Sequence, residues 1–94
     1  MNTVENLVRQ HLENPFLVLA LPADAGAADT ERQGEKLLAM LAAGLEEAGR
    51  YGTPFGERER TPELVRAALA ELRDPGRRLR HAWWAGGWAR GWGP

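Results

Sequence analysis

The sequence predicts an all-α fold: a small bundle with two antiparallel main helices, at about 27–49 and 61–73, and short helices flanking them. Three observations carry this. Leu37, Leu41 and Leu45 recur every four residues, and Leu38 and Ala48 widen the stripe into one helical face. Leu64, Val65, Ala68, Leu69 and Leu72 form a second such face, preceded by Thr61-Pro62-Glu63. The third is a missing partner: one compact apolar block, Phe16 to Leu21, has the length of a strand, but no other segment reads as a strand to pair with it.

The elements follow in chain order. Asn2-Thr3 with Glu5 resembles a capping box, and Val4, Leu7 and Leu12 supply an apolar edge, so residues 3–12 are read as a short amphipathic helix. Asn14-Pro15 closes it, because proline pushes the residue before it out of helical geometry. The stretch NPFLVLALP, bounded by Pro15 and Pro22, is read as a short buried helix with Phe16 and Leu19 in the core. ADAGAAD connects it to the first long helix, expected from about Ala27 to Gly49, and Gly52, Pro54 and Gly56 mark the following loop. Thr61 is a natural N-cap, Pro62 fits the first helical position, and Glu63 complements the helix dipole. Asp74-Pro75 repeats that chemistry and predicts a further short helix across Gly76 to Trp84, with Asp74 as cap. Arg78 is read as pairing within the domain, its aliphatic stem covering apolar surface. Three regions result: a short helix in 1–13, a helical domain in 14–85 and a Gly/Trp-rich tail in 86–94.

Composition narrows the function. A chain of 94 residues with 44% hydrophobic and 27% charged side chains is one ordinary globular domain. No apolar run approaches the ~20 residues of a membrane span, and MNTVENLVRQ lacks the form of a secretory leader, so a cytoplasmic location is expected. The sequence contains no cysteine and no serine, and its two histidines, His11 and His81, lie far apart. Thiol chemistry, serine triads and histidine-based metal sites therefore lose their usual members. Neither catalytic residues nor a cofactor is expected, and Glu46-Glu47 reads as a solvated face. Arginines gather between Arg58 and Arg80, but Glu57, Glu59, Glu63, Glu71 and Asp74 are interleaved with them, which dilutes a nucleic-acid signal.

Two blocks carry a family resemblance. In NPFLVLALPADAGA, the residues Phe16, Val18, Leu19, Leu21, Pro22, Asp24 and Ala25 resemble the opening of a J domain, the DnaJ-type co-chaperone module, where an aromatic precedes Val-Leu-Gly-Val, Pro and an Asp-Ala-Ser turn. Val65, Ala68, Leu69, Leu72, Asp74, Pro75, Arg78 and His81 resemble its closing stretch, with Leu69 and His81 replacing tyrosines. The likeness spans roughly residues 14 to 84. It implies a short first helix laid across an antiparallel pair joined through Leu37, Leu41 and Leu45 against Leu64, Ala68 and Leu72. The family's His-Pro-Asp motif, which stimulates a DnaK-type ATPase, is replaced at the aligned place by Ala42-Ala43-Gly44.

The expected function is accordingly a non-enzymatic protein-binding adaptor or accessory subunit, working in a larger complex. Trp83, Trp84, Trp88 and Trp92 are its candidate partner-binding residues, since large aromatics are enriched at binding surfaces. A divergent co-chaperone of a DnaK-type chaperone is the first alternative, and weak nucleic-acid binding through Arg58–Arg80 the second. The tail folding back on its own domain is weighed equally with partner binding.

Overall fold

The computed structural model describes residues 12–86, the last three by their backbone. The helix expected over residues 3–12 and the tail beyond Gly86 lie outside the described residues. Within them the chain is mostly helical, with a short helix α1 (Pro15–Val18) and three longer ones, α2 (Ala27–Ala42), α3 (Pro62–Arg73) and α4 (Pro75–Gly86). A small antiparallel sheet, β1 (Arg50–Thr53) and β2 (Gly56–Glu59), stands between α2 and α3 and corrects the all-α expectation.

Pro15 opens α1, and the Asn14 side chain accepts a 2.9 Å hydrogen bond from the Phe16 amide. This single turn drives Phe16 and Val18, with Leu19 at its cap, into the core. The chain leaves through Ala20, whose φ of 55° lies in the left-handed region. The Ala20 and Leu21 amides donate back to the Leu17 and Phe16 carbonyls at 3.0 and 2.8 Å, a Schellman termination of the helix.

Helix α2 ends by the same device. Gly44 takes φ 77°, and the amides of Gly44 and Leu45 donate to Leu41 and Met40 carbonyls at 3.0 and 3.1 Å. The helix therefore stops at Ala42, not near Gly49. Leu45, expected in the core, lies past the turn and is 43% exposed, while Leu41 packs at the edge of the core. A 3-10 turn, Glu46–Gly49, buries Ala48 and leads into the hairpin.

The hairpin pairs Arg50 with Glu59, Tyr51 with Arg58, Gly52 with Glu57 and Thr53 with Gly56. Pro54 and Phe55 form its two-residue turn, which Thr53 secures by accepting from the Phe55 amide and donating to the Gly56 carbonyl. Only Tyr51 faces the core, its hydroxyl donating to the Leu12 carbonyl at 2.9 Å. Arg60 follows the second strand and is 6% exposed. Its guanidinium lies over the Tyr51 ring and donates to the Val18 and Ala48 carbonyls at 2.7 and 3.0 Å, tying α1 to the 3-10 turn.

Thr61 caps α3 as predicted, accepting from the Leu64 amide at 3.1 Å. Val65, Ala68, Leu69 and Leu72 face inward against Phe16, Val18, Leu19, Leu37 and Tyr51. Two contacts fix the antiparallel relation of α2 and α3. Glu31 in the first helix accepts two hydrogen bonds from Arg73 in the second, at 2.7 and 2.8 Å, and Gly34 sits where a Cβ would come within 2.6 Å of the Leu69 methyls. Glycine is needed there to seat the buried Leu69 side chain against the α2 backbone.

Candidate interaction site

Helix α4, expected as a short helix but 12 residues long like α3, has one face secured by the domain and another turned outward. Its start is held by Asp74, whose carboxylate accepts from the Arg77 amide at 3.0 Å, with Pro75 at the first helical position. That backbone hydrogen bond, and another from Gly76, hold the Asp74 carboxyl below the usual carboxylate range. One turn on, Arg78 donates to the Ala25 and Leu72 carbonyls while its guanidinium lies over the Phe16 ring, 5.8 Å from the centroid. The expectation of pairing within the domain is met by backbone carbonyls rather than by a carboxylate.

His81 is the next anchor. Its Nε2 is 2.9 Å from Glu71 Oε1, and its carbonyl accepts from the Asn14 side chain at 3.2 Å. The His81 hydrogen bond, reinforced by the Arg77 charge, holds the Glu71 carboxyl below its ordinary value. Ala82 packs against the core. Positions 78, 81 and 82 are spaced i, i+3, i+4, so one stripe of α4 is committed to the interior.

That commitment aims the opposite stripe at solvent. Leu79 and Trp83, four residues apart on one face, are 73% and 67% exposed. Arg80 is exposed and lies three residues before Trp83, on the same side. The helix carries Arg77, Arg78 and Arg80 and has no acidic residue between Pro75 and Gly86. Arg77 is drawn back to Glu71 at 3.1 Å and Arg78 to the core, which leaves Arg80 as the outward charge beside the apolar pair.

No family model, curated protein or solved structure matches the chain. Chemical reading of the surface therefore rests on the geometry alone.

Of the four tryptophans singled out from the sequence, Trp83 is on the exposed face. Trp84 belongs to α4 by its backbone, and Trp88 and Trp92 lie outside the described residues. Sequence reasoning missed Leu79, although its position four residues before Trp83 was a usable signal. It also missed Arg60 and Tyr51, which organise the interior around the hairpin.

Two shallow grooves flank α4. One, of about 230 Å³, is lined by Glu13, Pro15, Leu64, Ala68, Glu71 and His81; the other, of about 380 Å³, runs past Thr30, Glu31, Arg73 and Arg78. Glu71 and His81 in the first, and Glu31, Arg73 and Arg78 in the second, are already engaged in the ion pairs and hydrogen bonds described above. Among the described residues no group of three or more His, Asp or Glu side chains could hold a metal ion. Nor is any described helix long and apolar enough to cross a membrane.

Proposed function

We propose that this chain is a non-enzymatic protein-interaction module built on a J-like scaffold, and that it docks a partner protein on the outer face of α4. The observation that carries the reading is the exposure of Leu79 and Trp83 side by side on a helix whose other face is locked by Arg78, His81 and Ala82. A rigid helix with adjacent large apolar side chains offers pre-organised contact area at low entropic cost.

Support for the J-like scaffold comes from a single-turn first helix followed by the packed pair α2 and α3, and from Asp74-Pro75 opening the last helix, although α4 equals α3 in length at 12 residues. It also comes from Ala20. The family's Val-Leu-Gly-Val places glycine at this position, and Ala20 has the positive φ that glycine favours. Where the family carries His-Pro-Asp, Ala42, Ala43 and Gly44 form a helix termination, and a hairpin follows. This speaks for an adaptor without ATPase stimulation.

The dispersal of the arginines weighs against nucleic acid. Arg60 is buried, Arg73 and Arg77 are ion-paired, Arg78 serves backbone carbonyls, and the exposed Arg58, Arg66 and Arg80 stand on three different elements, β2, α3 and α4. The reading is tested by adding stoichiometric protein to a DnaK-type ATPase. Unchanged hydrolysis agrees with an adaptor, whereas clear stimulation would make the chain a co-chaperone.

A further inference from the structure

We infer that the face formed by Leu79, Arg80 and Trp83 takes an acidic amphipathic segment of a partner protein, an inference that rests on the docking reading above. The argument is charge complementarity around an apolar centre. Leu79 and Trp83 supply the apolar contact, and Arg80 stands beside them with no hydrogen bond or ion pair among the described residues, its charge reaching only weakly, at longer range, to Glu71 and Asp74. With no acid in α4 itself, a partner's carboxylate meets no like charge on this helix.

The basic character also selects among occupants. The chain's own continuation, GWARGWGP, contains Arg90 and no acidic residue, so it complements the apolar pair but not the charge. An anionic membrane is disfavoured for a different reason: two exposed apolar side chains make a narrow stripe, and the chain as a whole is net negative at -1. A second copy would offer Leu45 with Glu46 and Glu47, and Phe55 with Glu57 and Glu59, but these stand on a 3-10 turn and a hairpin and not along one amphipathic helix. A partner segment with Leu or Phe on one face and Glu along its flank fits both the apolar pair and the charge.

The test is a titration of the isotopically labelled full chain, followed by NMR, with a helical peptide of about 16 residues, long enough to form a helix on the surface. The peptide carries Leu and Phe on one face and Glu on the flanks; a Lys-flanked counterpart and phosphatidylserine-containing vesicles are run in parallel. The Glu peptide is expected to shift the amides of Leu79 to Trp83 and the Trp83 indole. Arg80→Glu should weaken binding about fivefold, and Leu79→Ala about tenfold. The inference is overturned if the Glu peptide fails to bind, if the Lys peptide binds equally well, if only vesicles perturb these signals, or if raising the protein concentration alone does so. Should the Glu peptide fail while capture of a cellular partner still depends on Leu79, the acidic chemistry falls and the docking face stands; loss of both removes the docking reading too.

Discussion

Arg60 is an unusual core residue because its charge is buried without a carboxylate partner among the described residues. Burial lowers its pKa, yet an arginine remains protonated, so the two backbone carbonyls and the Tyr51 ring supply its compensation. Arg60→Leu removes both donors and leaves the Val18 and Ala48 carbonyls dry. It should cost about 2–3 kcal/mol in a urea unfolding experiment. Ala20 works in the opposite direction. The residue is exposed, while its left-handed backbone carries a strain of about 1 kcal/mol. Ala20→Gly should therefore raise the unfolding midpoint, although glycine's greater freedom in the unfolded chain offsets part of the gain.

At the scale of elements, the approach of α2 to α3 depends on Gly34. A methyl there would gain intrinsic helix propensity of about 1 kcal/mol, but it would sit 2.6 Å from the side chain of the buried Leu69. Overpacking of this kind typically costs about 1–3 kcal/mol. Gly34→Ala should come out destabilising by about 1 kcal/mol in chemical denaturation, the reverse of an exposed helical glycine. The starts of α3 and α4 were legible in the sequence because Thr61-Pro62 and Asp74-Pro75 satisfy orphan amides by local chemistry that needs no tertiary partner, whereas Asn14-Pro15, read only as closing the segment before it, also caps α1. The end of α2 was misread because the leucine spacing continues from Leu41 to Leu45 across the turn. Gly44 was the contrary signal, a glycine placed for a left-handed C-terminal position. The hairpin was invisible for another reason. All of β2 is exposed, so Glu57, Arg58 and Glu59 follow no apolar alternation, and only Tyr51 reports a buried strand face.

Among the described residues, two ion pairs and a histidine hydrogen bond clasp the ends of the helices. Glu31 with Arg73 joins α2 to α3, and Glu71 with Arg77 and His81 joins α3 to α4. Arg73 holds the Glu31 carboxyl down, as His81 does for Glu71. Carboxyls with depressed folded-state pKa values contribute stability above their unfolded values, near about 4.3 for glutamate, and lose it as pH falls through the folded values. Urea midpoints should accordingly be level from neutral pH to about 5 and fall below that, with a shallower fall in Glu71→Gln. The same clasp orients α4, which is how core chemistry reaches the surface: Asp74, Arg78 and His81 could be read as structural from the sequence, and they decide that Leu79 and Trp83 face outward. Which aromatic faced outward was not legible, because adjacent tryptophans point about 100° apart and the sequence alone does not set the helix's rotation. The most direct measurement is capture of partner proteins from the source cell by the full chain and by Leu79→Asp, with circular dichroism verifying an unchanged fold. The account predicts that a partner bound by the unaltered chain is lost on this substitution; retention of that partner at equal yield would contradict it.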